Sequence, residues 1–234
     1  MEEINKIEEL KNIDNVSLVK TNSAYTAKRE KQSRKVRLQE KDVQLFNFVA
    51  KFGFATVDQM HGYLGGSLHS LKTRLSHLVG DGYLVNYRIF FGKPSVYTIT
   101  KKSNLTDLSI VQQINLRDYY HDLLVVDVFL KIKGSFSDYT TEKMIRAERG
   151  VGVGKKGRIP DLVGYLSDGR AVAVEVDRTD KSHERLQRII DDYRMSFDYN
   201  EVWFYARNDF IYNNLLKHIG DSPKFKVYRL EEVV

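Results

Sequence analysis

Three acidic residues, Asp161, Glu175 and Asp177, flank the short turn Ser167-Asp168-Gly169 that separates two apolar runs. Such a pattern predicts a β-hairpin, and its register decides whether the acids cooperate. A two-residue Asp-Gly turn sets Asp161 across from Val176 and away from Glu175. A three-residue loop with Gly169 in the left-handed conformation sets Asp161 across from Glu175 instead. In that second arrangement Asp161, Glu175 and Asp177 share a face. Converging carboxylates repel unless they share a proton or a divalent cation, so the chemistry on offer is a Mg²⁺ site with these three as ligands. A helix starting at Thr179 or Ser182 follows, with Leu186, Ile189, Ile190 and Tyr193 inward. Lys181, Arg185 and Arg188 lie on another stripe that can face phosphate. Glu142 or Glu148 could complete the acidic set, and His121 counts as structural unless it lies beside the carboxylates. The glycine-rich basic loop 150–157 lacks the Lys-Ser/Thr that opens a helix in a phosphate-binding Walker loop, which excludes nucleotide binding there.

A second set of residues sits upstream. Apolar residues Val43, Phe46, Val49 and Ala50 predict a helix over 38–52, stopped by Gly53. Thr56 with Gln59 three residues on forms a capping box for a second helix, which ends at Gly65-Gly66. Ser67 caps a third, with Leu68, Leu71, Leu75, Leu78 and Val79 inward and Ser70, Lys72, Thr73, Arg74 and His77 on the other face. Two strands follow, joined by a turn with Lys93 at its tip. Three short helices and a trailing hairpin describe a winged helix-turn-helix, whose third helix enters the major groove of duplex DNA. Ser70, Lys72, Thr73, Arg74 and His77 are its DNA-facing candidates. Lys93 and the basic arm around Arg34 and Lys35 would hold flanking phosphates. His61, His69 and His77 read as surface or capping residues rather than metal ligands.

The 234 residues divide into a charged N-terminal segment (1–37), the winged helix (38–100), a connector (101–116) and a mixed α/β region (117–234). In the last, a helix over 117–132 with Tyr120, Leu123, Leu124, Val128 and Leu130 inward precedes alternating strands and helices. A hydrophobic fraction of 42% with 29% charged residues is ordinary for a globular chain, and the net charge of +6 favours a polyanionic partner. There is no cysteine, which excludes disulfides and thiolate metal sites. No secretory start and no apolar stretch long enough to span a bilayer are present, so the expected location is the cytoplasm, away from membranes.

Pro160-Asp161, the hairpin, Glu175-Val176-Asp177-Arg178 and the helix carrying Gln187 to Tyr193 resemble the PD-(D/E)XK nuclease superfamily. With the winged helix upstream, the order of elements from about 40 to 206 resembles the replication-relaxation family of plasmid and mobile-element proteins. The resemblance implies a mixed α+β chain, a winged helix followed by a nuclease-like α/β domain. It implies metal binding by Asp161 and Glu175, and a lysine two residues after the glutamate to stabilise the attacking water or scissile phosphate. Asp177 stands at that lysine position, a reversal of charge, and Lys181 could substitute only by reaching back from the helix. The implied role is a DNA-binding accessory protein in plasmid replication, relaxation or transfer, with a relaxase or replication proteins as partners and a nuclease-like C-terminal domain lacking full catalytic machinery. The alternatives are a Mg²⁺-dependent endonuclease or nickase using Asp161, Glu175 and Lys181, and a repressor whose C-terminal domain forms a homodimer or senses a ligand.

Overall fold

A computed structural model describes residues 36–103, 114–149, 158–177 and 179–232. Helix α1 (Glu40–Phe52) begins where the Asp42 carboxylate accepts from the Gln39 backbone N–H, 2.7 Å away, and it ends at Gly53. Strand β1 (Ala55–Thr56) leads directly into α2 (Val57–Leu64). The capping box read from the sequence closes α2: Thr56 Oγ1 accepts from Gln59 N, and Gln59 Oε1 accepts from Thr56 N. Ser67 caps α3 (Leu68–Gly80) by accepting from Ser70 N. Strands β2 (Leu84–Tyr87) and β3 (Val96–Ile99) then pair antiparallel, and β1 joins them in the order β1-β3-β2.

Helix α4 (Tyr119–Ile132) opens the second half, followed by β4 (Asp138–Thr141), α5 (Glu142–Arg149), β5 (Leu162–Tyr165) and β6 (Ala171–Asp177). The chain continues through α6 (His183–Met195), β7 (Glu201–Ala206), α7 (Asp209–Ile219) and β8 (Phe225–Arg229). The five strands lie in sequence order, antiparallel from β4 to β6 and parallel from β6 to β8. Parallel neighbours need crossovers, and α6 and α7 supply them. Successive side chains of a strand point to opposite faces. Leu162, Val172, Val174 and Val176 therefore pack with α4, while Val163 and Ala173 join Leu186, Ile189 and Ile190 of α6.

The apolar core does not stop at the connector. Leu45, Phe48 and Phe52 of α1, Leu75 and Leu78 of α3, and Val126 and Phe129 of α4 belong to the same buried cluster as one face of the larger sheet. Phe129 lies 5.1 Å from the Phe52 ring and 4.2 Å from that of Tyr139. Polar contacts repeat the join: Lys143 Nζ donates to the Phe52 carbonyl and to Asp122, and Thr141 Oγ1 donates to the Lys51 carbonyl.

Two differences from the sequence reading have physical causes. Helix α4 buries Tyr119, Val125, Val126, Val128, Phe129 and Ile132, whereas Tyr120 is exposed. It packs against two bodies, so its apolar surface is wider than a single stripe and its inward phase is ambiguous. Strand β4 is polar and lies at the sheet edge, without the alternation that marks a half-buried strand. Among the described residues no helix is long and apolar enough to cross a membrane.

Candidate functional site

The β5–β6 hairpin adopts the three-residue loop. Leu166 N donates to Arg170 O and Gly169 N to Leu166 O, both at 2.9 Å, with Gly169 at φ 84°. That dihedral is costly for any residue with a side chain, so glycine sets the register. The observed pairing Leu162↔Val174, carried one step further, brings Asp161 opposite Glu175. Glu175 and Asp177 share the sheet face that looks toward α6, whereas the Asp161 carboxylate, just before β5, reaches His121 of α4.

Each carboxylate has a partner. Glu175 is 4% exposed and accepts two bonds from Arg158, from Nε at 2.9 Å and from a terminal nitrogen at 2.8 Å. The Tyr193 hydroxyl of α6 donates to the same carboxylate, and the Arg158 guanidinium lies 5.5 Å from the Tyr193 ring centroid. Burial pushes the Glu175 carboxyl up, against the pull of Arg158, and the neighbouring Asp161 pushes it further. Arg158 is held charged by Glu175 in spite of its burial. Asp161 Oδ2 accepts from Val176 N at 2.8 Å, and its Oδ1 lies 3.1 Å from His121 Nε2. Burial pulls His121 down, but Asp161 outweighs it and raises the imidazole above its ordinary value. Lys181 reaches back from the start of α6 and donates to Asp177. Its ammonium is pushed down to about 8, chiefly by burial and secondarily by Arg158 and Arg185, against Glu175 and Asp161.

Mg²⁺ takes oxygen ligands in octahedral geometry. Here a guanidinium covers both oxygens of Glu175, an ammonium sits on Asp177, and Asp161 is shared between His121 and a backbone N–H. Among the described residues no group of three or more histidine, aspartate or glutamate side chains could hold a metal ion. The Mg²⁺ set of Asp161, Glu175 and Asp177 is therefore not assembled, and the residues do not fit the ion. Glu142 pairs with Arg146 of its own helix, and Glu148 is exposed. What the arrangement does instead is tie the segment before β5, the end of β6, α4 and α6 together through opposite charges.

On α3, His69, Ser70, Lys72, Thr73, Ser76 and His77 are exposed, and Leu71, Leu75 and Leu78 are buried. Thr73 Oγ1 donates to the His69 carbonyl. Arg74 departs from the expectation of a DNA-facing side chain. Its Nε donates to Asp42 Oδ1 at 2.9 Å, one terminal nitrogen also contacts Asp42, and that nitrogen donates to the Arg37 carbonyl. Asp42 is buried at the start of α1, so a cation must stand there, and Arg74 is the cation in reach. Lys93 is exposed, but its hairpin is pinned, because Phe90 stacks on Tyr120 at 5.4 Å and meets Tyr119 edge-on at 5.3 Å. Arg34, Lys35 and most of the basic arm lie outside the described residues.

Reading the sequence missed Arg158, Tyr193 as a hydrogen-bond donor, and Asp42 as the partner of Arg74. Arg158 stands three residues before Asp161, and this closeness was the only available signal.

No family model matches the chain, and no curated protein matches it. A solved structure, the crystal structure of a repair endonuclease from Pyrococcus abyssi, is similar over 63% of this chain at 13% identity and a TM-score of 0.27. This chain spans 62% of that one.

Proposed function

We propose that this chain is a duplex-DNA-binding protein of the winged helix-turn-helix type, whose nuclease-like α/β half lacks metal-dependent cleavage. The observation that carries the reading is the outward face of α3. Over Ser67 to Gly80 there is no acidic residue, and His69, Ser70, Lys72, Thr73, Ser76 and His77 all stand open to solvent. Helix α2, a Gly-Gly turn and α3, followed by the β2–β3 hairpin, have the order in which such proteins present a recognition helix. The net charge of +6 agrees with a polyanionic partner.

The balanced charges of the carboxylate cluster favour a binding or scaffolding role for the α/β half over an endonuclease. In the replication-relaxation reading, that half is a second contact for DNA or for a relaxase or replication protein of a mobile element. Nuclease footprinting on plasmid fragments tests the role. Protection at a transfer or replication origin is the expected result. Protection of a palindrome at the gene's own promoter points instead to a repressor, and no protection on any duplex overturns DNA recognition.

A further inference from the structure

The seam between α6 and α7 carries a pair of side chains that neither the carboxylate cluster nor α3 uses. His183 is the first residue of α6, and His218 lies one residue before the end of α7. Nδ1 of His183 is 2.7 Å from Nε2 of His218. The other nitrogen of His218, Nδ1, is 2.7 Å from the Asn214 carbonyl oxygen. A carbonyl only accepts, so Nδ1 bears the hydrogen, and in the neutral ring Nε2 carries a lone pair aimed at His183. Metal-binding histidines are held in this way, with one nitrogen fixed by a bond donated to the backbone and the other directed at the ion. His183 is exposed and His218 half-buried, so the pair is open to solvent. The Glu184 carboxyl, held below its usual range by its backbone hydrogen bond and by Ser182, with a smaller share from His183, adds negative charge nearby.

We propose that His183 and His218 form a two-imidazole site for a late first-row divalent ion of the zinc class. Imidazole nitrogen suits zinc, copper and nickel, whereas Mg²⁺ takes oxygen, so the site is chemically distinct from the carboxylate cluster. Two lone pairs cannot face each other at 2.7 Å, so a proton lies between the rings. Zinc–nitrogen bonds of about 2.0–2.1 Å at a tetrahedral angle need the nitrogens roughly 3.4 Å apart. Rotation of the exposed His183 ring supplies the difference, and water fills the remaining positions. The ion would link the start of α6 to the end of α7, replacing a shared proton by two coordinate bonds.

The test is calorimetric titration of Zn²⁺ into the full chain in a non-coordinating buffer, with circular dichroism confirming the fold of each variant. The wild-type protein is expected to bind one equivalent. Binding should weaken at least tenfold, about 1.4 kcal/mol, in His183→Ala and in His218→Ala, and stay unchanged in His69→Ala. His183→Gln, at an exposed position, keeps the question answerable should His218→Ala disturb α7. Absence of a one-equivalent site in the wild type overturns the proposal. So does wild-type affinity in any variant at position 183 or 218.

Discussion

Arg158 covers both carboxylate oxygens of Glu175, at 2.9 and 2.8 Å, in a pocket closed by the Tyr193 hydroxyl. A guanidinium stands where a nuclease reading of the same acids would put a metal ion. Taking one partner from a buried pair leaves an uncompensated charge, at a cost of about 3–5 kcal/mol. Arg158→Ala should lose stability of that order at pH 8. Without Arg158, burial and Asp161 hold the folded-state pKa of Glu175 above its unfolded value. The deficit should therefore be greatest at high pH and shrink as pH falls through that folded value. Urea denaturation at pH 8 and pH 5 checks this; an equal loss at both would show that Glu175 is not the residue left exposed to the change.

His121 and Asp161 give a pH dependence of definite sign. The folded-state pKa of His121 is raised, so the stability it contributes is full below the ordinary histidine value of about 6.5. It is lost as pH rises through the folded value. Asp161→Asn should lower the His121 titration midpoint in an NMR experiment and flatten the stability profile above pH 6.5. A midpoint unmoved by the substitution would deny the pairing.

Arg74 and Lys72 should separate stability from binding. Arg74→Ala strands the buried carboxylate of Asp42 and should cost about 1–3 kcal/mol, measured by chemical denaturation. Lys72 is exposed, so Lys72→Ala should leave stability within about 0.5 kcal/mol. The reverse pattern would place the structural cation at position 72.

The continuous core predicts a single unfolding transition. Phe129 packs on Phe52 and Tyr139, so Phe129→Ala should cost about 3–5 kcal/mol and lower one melting transition shared by both halves. Two separate transitions in calorimetry would show that the halves unfold independently.

Local chemistry was the most legible part of the sequence. Thr56 with Gln59 and Ser67 as a cap are short-range signals, and each is found in its place, whereas the sequence left two hairpin registers open and the structure takes the one with Gly169 in the left-handed conformation. Long-range pairing was not legible. Glu175 and Tyr193 lie 18 residues apart, and His121 and Asp161 40 apart, so only the fold brings them together. Tyr193 shows the difficulty well, because its ring packs inward as its periodicity predicts while its hydroxyl serves the cluster. Arg74 illustrates the same limit: on a helix face it looks like its neighbour Lys72, and only the position of Asp42 distinguishes the two.

The salt dependence of duplex binding, measured by fluorescence anisotropy for the wild type and for Lys72→Ala, bears most directly on the role of α3. Each phosphate contact contributes about 0.9 to the slope of log affinity against log salt. Loss of the Lys72 contact should weaken binding and reduce the magnitude of that slope by about 0.9, with the melting temperature unchanged. Equal affinity and an equal slope in the two proteins would contradict recognition through this helix.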